Sequence, residues 1–346
     1  MKILIIGPSW IGDMIMSHSL YRILIKKYPK IKIDVMAPKW SYPLLKRMPE
    51  INKSIILPFS HGEISLCKRY NIGIKLRNKN YEQAIILPNS FKSALIPFFA
   101  KIPLRTGWIG EKRYGIINDL RKNNTLKFSL MIEKYSILAF SKKEINNSFS
   151  FPKPFLYPIL KVNKKEKHYL YKKFYLNKNY RPLFGLCPGS ASKLAKCWPY
   201  YHYASLAKKL IKDGYNIIIF GSKYDQDTGE SIINILNIKE KKYCTDLTGM
   251  TSINEAIILI DSCNGIVSND SGLMHIASAL HKPLIALYGF SNPKFTPPLF
   301  KKSIILHCIK NFKNFDKKLN NYYNNNLIKI KPKKVFKKIK ILMNDN

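Results

Sequence analysis

Short apolar runs alternate with helical patterns along both halves of this 346-residue chain. The first half contains four runs of strand length, at Ile3–Ile6, Ile33–Met36, Ser54–Leu57 and Ala84–Leu87. Helical patterns lie between or after them, at Met14–Lys27, Tyr42–Arg47 and Ser93–Ala100. Strands that alternate with helices form a parallel sheet with helices on both faces. The first half therefore predicts a doubly wound α/β domain.

The second half repeats this alternation. Its predicted strands are Leu183–Cys187, Asn216–Phe220, Gly265–Val267 and Leu284–Leu287. Its predicted helices are Tyr200–Asp213, Gln226–Leu236, Ile253–Ser262 and Gly272–Leu280. A second doubly wound domain is expected, and two such domains that face each other would form a ligand cleft between the carboxyl ends of their strands.

Three prolines within 152–158 interrupt the alternation, so a linker is expected near Phe151–Tyr180. We expect one domain at 1–165 and another at 166–346, with a last helix near 335–343. The Lys/Asn-rich segment Asn311–Asn326 is predicted to be a mobile loop, because its composition is of low complexity.

The chain is strongly basic, with a formal net charge of +38. Only eight of its 59 basic residues are Arg, and the Lys residues are spread over the whole sequence. Proteins that bind nucleic acids usually concentrate Lys and Arg on one face. The distribution favours a solvated surface, leaves attraction to an anionic membrane open, and argues against a nucleic-acid partner.

No apolar stretch approaches the ~20 residues of a membrane-spanning helix. The N-terminal apolar run is too short for a signal peptide and is typical of a first buried strand, so a cytoplasmic location is expected. The six cysteines are scattered without a CxxC pair, which argues against a zinc site and a disulfide framework.

The first candidate motif, Gly7-Pro8-Ser9-Trp10-Ile11-Gly12-Asp13, directly follows the first predicted strand. Glycine lets the backbone turn tightly at the carboxyl end of a strand, where open α/β sheets bind ligands. Asp13 precedes a predicted helix. It is either the cap of that helix or a carboxylate that removes a proton from a substrate hydroxyl.

The second candidate motif runs from Cys187 to Pro199, between a predicted strand and a predicted helix. It contains two hydroxyls, of Ser190 and Ser192, and two cations, of Lys193 and Lys196. Such groups stabilise the negative charge that a diphosphate carries when it departs. Lys196 lies nearer the helix and is the favoured phosphate ligand. A solvated polar loop is the alternative.

The third candidate motif, Ser268-Asn269-Asp270-Ser271-Gly272-Leu273-Met274-His275, also follows an apolar strand. Backbone N–H groups at Ser271 and Gly272 would open a helix N-terminus to an anion. Asp270 is either a helix cap or a ligand for sugar hydroxyls.

Two further segments follow predicted strands of the second half. Asp225 lies just past Phe220-Gly221-Ser222 and is either a ribose ligand or a helix cap. The turn that contains Met250 and Thr251 could line a purine. Asp225-Gln226-Asp227 is an Asp-x-Asp sequence, but acidic residues are common in a first helical turn, so no metal site is expected.

Together these segments resemble the bacterial ADP-heptose:lipopolysaccharide heptosyltransferases, and the members that add the second core heptose are the most similar. The resemblance covers roughly 1–299. It is carried by GPSWIGDMIMSHSLYR, LPNSFKSALIPFFAKIPLRTGW, the PGS…KCWP loop, VSNDSGLMHIASAL and LYGFSNPKFTPP.

The resemblance implies a GT-B glycosyltransferase architecture, with the acceptor on the first domain and ADP-heptose on the second. It implies inverting transfer of L-glycero-D-manno-heptose to the first heptose of the lipopolysaccharide inner core, without an essential metal or a cofactor. Asp13 would be the general base, with Ser9, Trp10 and Gly12 on the acceptor side. Lys196 would face the departing ADP. The implied donor contacts are Ser190, Ser192, Asp225, Met250, Thr251, Asp270, Ser271, Gly272 and Leu273.

The implied partners are ADP-heptose and a lipid-linked inner-core acceptor, with peripheral contact to the inner membrane as a weaker expectation. Two alternatives stay open at this stage. One is another nucleotide-sugar enzyme on the same scaffold, such as a heptosyltransferase that adds the first core heptose or a sugar epimerase. The other is a non-catalytic binder of anionic lipid or nucleic acid, whose binding would fall steeply with salt and ignore ADP.

Overall fold

The structure is a computed structural model of the chain. It describes residues 1–59, 62–122, 128–145, 149–176, 180–190, 197–289, 291–307 and 327–344. The chain divides into two compact units, Met1–Pro158 and Ile159–Asn346. Among the predicted positions, Ser192, Lys193, Lys196 and Asn311–Asn326 lie outside the described residues.

Unit 1 contains a six-stranded parallel sheet in the order β3-β2-β1-β4-β5-β6. Its strands are β1 (Lys2–Ile6), β2 (Lys32–Pro38), β3 (Ile51–Leu57), β4 (Gln83–Ile86), β5 (Leu104–Trp108) and β6 (Asp119–Arg121). Ile3–Ile6 are buried throughout, because β1 is a central strand whose two faces are both covered by helices.

The helices of unit 1 are α1 (Ile11–Lys27), α2 (Tyr42–Leu45), α3 (Leu66–Arg77), α4 (Phe91–Phe99) and α5 (Met131–Ser136). Short 3₁₀ helices occur at Lys39–Ser41 and Ile137–Ala139. Helix α1 begins at Ile11 and not at Met14 as predicted, so Asp13 lies inside its first turn. Residues on more than one face of α1 are buried, and one side of α1 packs on α5 and on the 3₁₀ helix at Ile137–Ala139.

Unit 2 contains a second six-stranded parallel sheet, in the order β12-β11-β10-β7-β8-β9. Its strands are β7 (Leu183–Cys187), β8 (Asn216–Ile219), β9 (Cys244–Asp246), β10 (Gly265–Asn269), β11 (Leu284–Tyr288) and β12 (Ser303–His307). The two central strands, β7 and β10, are buried at every position.

The helices of unit 2 are α6 (Lys164–Lys173), α7 (Tyr200–Lys212), α8 (Gln226–Ile235), α9 (Ile238–Lys241), α10 (Ile253–Ser262), α11 (Gly272–Ala279) and α12 (Pro332–Asn344). A 3₁₀ helix at Lys223–Asp225 precedes α8. The last helix spans the predicted 335–343 and buries Val335, Ile339 and Leu342 in the core of unit 2.

The region between the predicted domains differs from the expectation. Helix α6 lies inside the segment expected to be a linker, where Lys167 forms an ion pair with Asp261 of α10 at 2.6 Å. Leu160 already belongs to unit 2, because its N–H donates to the carbonyl oxygen of Ala279 at 2.9 Å. The division at 158/159 therefore lies earlier than the predicted 165/166.

The α/β class with two doubly wound sheets is confirmed. Strands β5, β6, β9 and β12 and helices α3, α5, α6 and α9 were not predicted, because most of them are short or polar. Along the described residues, no helix has both the length and the apolar composition that crossing a bilayer requires.

Candidate active site

Each sheet has one point at which the chain changes direction across it. In unit 1 this point lies between β1 and β4, and in unit 2 between β7 and β10. Open parallel sheets bind ligands at the carboxyl ends of the two strands at such a point. The first predicted motif follows β1, the second follows β7 and the third follows β10. The three motifs predicted from sequence therefore lie at the two switch points.

Asp13 is the third residue of α1 and does not cap it. The N-cap residue is Trp10, and the helix start has no side-chain cap bond. Oδ1 of Asp13 accepts a hydrogen bond from the Tyr135 hydroxyl at 3.2 Å. Burial raises the pKa of the Asp13 carboxyl, and the Tyr135 hydrogen bond lowers it in part. A partly exposed carboxylate with a raised pKa has the properties of a general base.

Tyr135 comes from α5, and no sequence pattern indicated its role. It is buried, and burial, followed by the charge of Asp13, raises the pKa of its hydroxyl well above the usual range. Tyr135 therefore stays protonated and acts as a hydrogen-bond donor to Asp13. An aromatic residue in a short, unpredicted helix carries no pattern that would have identified it.

The three residues predicted on the acceptor side lie in the same loop and helix start as Asp13. Ser9 is exposed, 59% of the Trp10 surface is exposed, and Gly12 is partly exposed. An added Cβ at Gly7, which begins the loop, would lie 2.9 Å from Cε of Met14, so the Met14 side chain would have to shift. The loop thus leaves β1 close to α1, buries Pro8 and presents Ser9 and Trp10 to solvent.

Arg113 holds the neighbouring loop after β4. Its guanidinium is buried and donates to the carbonyl oxygens of Pro88 at 2.7 Å and Trp108 at 2.5 Å. It also contacts Oγ of Ser93, in the first turns of α4, at 3.3 Å. Burial lowers the pKa of Arg113 to about 10. Arg113, which the sequence did not single out, therefore fixes the second loop at the switch point of unit 1.

Asn269 has the corresponding position in unit 2, at the end of β10. Its amide Nδ2 donates to the carbonyl oxygen of Pro188 at 2.6 Å. Its Oδ1 accepts from the N–H of Trp198 at 3.1 Å and from the Tyr203 hydroxyl at 3.0 Å. One fully buried side chain thus ties both described ends of the β7–α7 connection to β10. The sequence placed Asn269 in a motif but assigned it no role.

Residues 270–273 lie beside that connection. Asp270 is buried and its N–H donates to the carbonyl oxygen of Leu287 at 3.1 Å. Ser271 is the N-cap residue of α11 and its side chain makes no cap bond. Ser271, Gly272 and Leu273 are partly exposed, so the first amides of this helix are accessible to an anion.

Asp225 is the N-cap residue of α8, but its side chain makes no cap bond there and accepts from Ser222. Its Oδ2 receives hydrogen bonds from the N–H of Ser222 at 2.8 Å and from the Ser222 hydroxyl at 2.7 Å. Gly189 lies directly against this carboxylate, since a Cβ there would be 2.5 Å from Oδ2. Asp225 therefore supports the loop after β7, which also contains the partly exposed Ser190.

Met250 and Thr251 follow β9 in a turn. Gly249 has a φ of +70°, which favours glycine, and lies against the side chain of Gln226. Met250 is exposed and Thr251 partly exposed. Loops after β7, β8, β9 and β10 thus meet at one edge of the sheet, because parallel strands end at the same edge.

Among the described residues, no three His, Cys, Asp or Glu side chains lie together as they would to hold a metal ion. The Asp225-Gln226-Asp227 sequence spans the end of a 3₁₀ helix and the start of α8. Lys196 and Ser192 lie outside the described residues, so their predicted roles remain predictions.

Comparisons with known proteins agree with this geometry. The model of glycosyltransferase family 9 (heptosyltransferase) matches residues 69–323. The chain is 48% identical to lipopolysaccharide heptosyltransferase 2 of Escherichia coli K12 over 344 residues, which cover 99% of each protein. It is 51% identical to lipooligosaccharide heptosyltransferase 2 of Haemophilus ducreyi over 315 residues, which cover 89% of each.

Among solved structures, the chain is similar to ADP-heptose LPS heptosyltransferase II of E. coli, with 47% identity and a TM-score of 0.90. That match covers 99% of this chain and 98% of the other, and the GT-B fold class implied by the sequence is confirmed. The family expected from the motifs is confirmed as well, and the chain belongs to glycosyltransferase family 9, the heptosyltransferases.

Proposed function

We propose that this protein transfers L-glycero-D-manno-heptose from ADP-heptose to the first heptose of the lipopolysaccharide inner core, with inversion at the anomeric carbon. The similarity to lipopolysaccharide heptosyltransferase 2 of E. coli, over 99% of both proteins, supports the substrates. The observation that carries the mechanism is the Asp13 carboxylate, which lies at the switch point of unit 1 with a pKa raised by burial.

In this mechanism unit 1 binds the acceptor. Asp13 removes the proton from one acceptor hydroxyl as its oxygen attacks the anomeric carbon of the donor. The new glycosidic C–O bond forms while the bond from that carbon to the β-phosphate oxygen breaks, and both electrons of that bond leave with ADP. Exposed Ser9 and Trp10 lie beside Asp13 and are assigned to acceptor contact.

Unit 2 binds the donor. The amides of Ser271, Gly272 and Leu273, at the start of α11, are assigned to the diphosphate, since a helix N-terminus favours negative charge. Lys196 and the Ser190 and Ser192 hydroxyls are assigned to the same group, which gains charge as the bond breaks. Asp270 is assigned to the donor sugar.

The nucleoside is assigned to the outer loops of the same edge. Oδ2 of Asp225 accepts from Ser222, and we assign the remaining oxygen, Oδ1, to the ribose. Met250 and Thr251 are assigned to adenine. No cofactor or metal has a part in these steps, so chelation with EDTA is expected to leave turnover unchanged.

We further propose that the protein works in the cytoplasm, in peripheral contact with the inner membrane, because its acceptor is anchored there by lipid. Nucleic acid has no part in the proposal.

The test is a transfer assay with ADP-heptose and two inner-core acceptors that carry either no heptose or one heptose. Transfer to the acceptor with one heptose is expected, with little to the other. The reverse preference would identify an enzyme that adds the first heptose, and conversion of ADP-heptose with no acceptor present would identify an epimerase.

A further inference from the structure

Helices α3 and α4 of unit 1 carry an exposed surface that combines aromatic and basic side chains. We call it the α3/α4 face and define its apolar part as Leu66, Tyr70, Phe98 and Phe99. About 54% of Leu66, 48% of Tyr70 and 41% of Phe98 is exposed. Exposed apolar groups that adjoin one another on a folded unit mark an interaction site.

Ring contacts make this apolar part continuous. The Tyr70 and Phe99 rings pack edge to face at 5.3 Å between centroids, and Phe98 contacts Phe99 at 5.7 Å. Leu66 lies one helical turn before Tyr70, on the same side of α3. The Arg105 guanidinium lies 5.6 Å from the Phe98 ring centroid, so a cation borders the aromatic surface.

The charge around this face is mainly positive. Between residues 63 and 111 the chain contains eight Lys and Arg residues and three acidic residues, Glu63, Glu82 and Glu111, of which Glu63 pairs with Lys68 at 3.6 Å. Lys68, Lys75, Arg77, Lys79 and Lys101 are exposed. Aromatic and aliphatic groups with lysines around them are the composition of surfaces that lie in the interface of an anionic bilayer.

The face is also joined to the site of unit 1. The buried Arg69 of α3 donates to the carbonyl oxygen of Lys92 in α4 at 3.2 Å, so the two helices begin side by side. Helix α4 begins directly after the loop that Arg113 holds, at the carboxyl edge of the sheet where Asp13 also lies. The face therefore begins at the edge of the sheet assigned to the acceptor and runs along α4 toward the opposite edge, where Phe98 lies beside Arg105 near the start of β5.

Helix α12 of unit 2 shows that basic charge alone does not produce such a surface. It contains Lys333 and Lys337, which are exposed, but its Val335, Ile339 and Leu342 are buried in the core of unit 2. The apolar side of α12 is thus already covered, whereas the α3/α4 face presents aromatic rings to solvent.

We propose that the α3/α4 face docks the protein on an anionic phospholipid bilayer, with Leu66, Tyr70 and Phe98 in the interface and the surrounding Lys and Arg side chains against lipid phosphates. This inference rests on the proposed function, because a lipid-linked acceptor gives the docking its purpose. It adds which surface of the protein meets the membrane.

The test measures partition of the full chain onto sedimented vesicles of phosphatidylcholine with phosphatidylglycerol, and onto phosphatidylcholine alone. Wild type is expected to bind the anionic vesicles and to be released by salt. Tyr70→Ser/Phe98→Ser and Lys75→Glu/Lys101→Glu are each expected to lower partition by roughly 10-fold or more.

Two matched controls separate the face from general charge and general hydrophobicity. Lys333→Glu/Lys337→Glu changes the net charge by the same amount, and Tyr169→Ser/Ile238→Ser removes two exposed apolar side chains of unit 2. Both are expected to retain most of the binding. Equal losses in controls and α3/α4 variants, or no binding by wild type, would overturn the proposal.

A transfer assay on a short inner-core acceptor without lipid distinguishes this proposal from the proposed function. The α3/α4 variants are expected to keep wild-type turnover on that acceptor, which also shows that they fold. Absence of transfer by wild type there would contradict the proposed function itself, whatever the vesicles show.

Discussion

Tyr135 and Asp13, which are 122 residues apart in the chain, share a hydrogen bond of 3.2 Å between the tyrosine hydroxyl and Oδ1 of the carboxylate. Two opposing effects therefore act on the proposed base. Burial favours its neutral form, while the hydroxyl of Tyr135 favours its ionised form, and burial is the larger effect. The balance sets the pH above which Asp13 can accept a proton.

Tyr135→Phe removes the hydroxyl and keeps the buried ring. The ionised Asp13 loses a donor, so its pKa should rise further above the ordinary value. The acidic limb of the profile of kcat/KM against pH is therefore expected to move to higher pH. At pH values well above that limb, kcat/KM should be close to that of wild type. Tyr21→Phe, about two helical turns after Asp13 in α1, serves as a control for removal of a buried hydroxyl. An unmoved acidic limb in Tyr135→Phe would contradict the role of this hydrogen bond.

Asp13→Asn is expected to lower kcat by roughly 10²–10⁴, since the general base is lost. Stability should respond in the opposite direction. The folded-state pKa of Asp13 is raised, so its contribution to stability is present below the unfolded pKa and is lost as pH rises through the folded pKa. At neutral pH the Asn variant should therefore have a Tm equal to or above that of wild type, and the difference should vanish in acid.

Asp261→Asn, which breaks the ion pair with Lys167 in unit 2, is the matched control and should keep wild-type turnover. Near-normal turnover in a folded Asp13→Asn protein would remove the carboxylate from the mechanism.

Asn269→Asp exchanges the amide that donates to Pro188 for a carboxylate oxygen, which repels that carbonyl. A buried polar group without its partner costs about 1–3 kcal/mol. If the β7–α7 connection binds the donor, KM for ADP-heptose should rise by about 10-fold, while KM for the acceptor should hardly change.

Tyr203→Phe, which removes one donor to Oδ1 of Asn269 and leaves the bond to Pro188, should have the smaller effect. A parallel rise of both KM values in Asn269→Asp would indicate general loss of structure and not positioning of the donor loop.

Gly189→Ala would place a methyl group 2.5 Å from Oδ2 of Asp225. Forcing an additional carbon into such a contact costs about 1–3 kcal/mol, measurable as a lower free energy of unfolding in urea. Asp225→Ala removes the opposing carboxylate, so Gly189→Ala should cost much less in that background. An equal loss of unfolding free energy in both backgrounds would show that the contact with Asp225 is not the reason why position 189 requires glycine.

Local pattern was sufficient for the central part of each sheet. Strands such as Leu183–Cys187 were predicted with the bounds the structure has, because a continuous apolar run is what a strand buried on both faces requires. Short edge strands such as Asp119–Arg121 were missed, since three mixed residues carry no period. The start of α1 was placed too late, because Gly12 is a weak helix former and lies in a glycine-containing segment that was assigned to a turn.

The sequence by itself determined the two α/β units and the segments that carry the proposed chemistry, because strand periodicity and the glycine-containing turns after strands are local properties. Only the tertiary structure decided that Tyr135 meets Asp13, that Arg113 and Asn269 fix the loops beside the switch points, and that α3 and α4 leave aromatic rings exposed. Those relationships join residues far apart in the chain, and they depend on the order of the strands and on which helix faces the sheets cover.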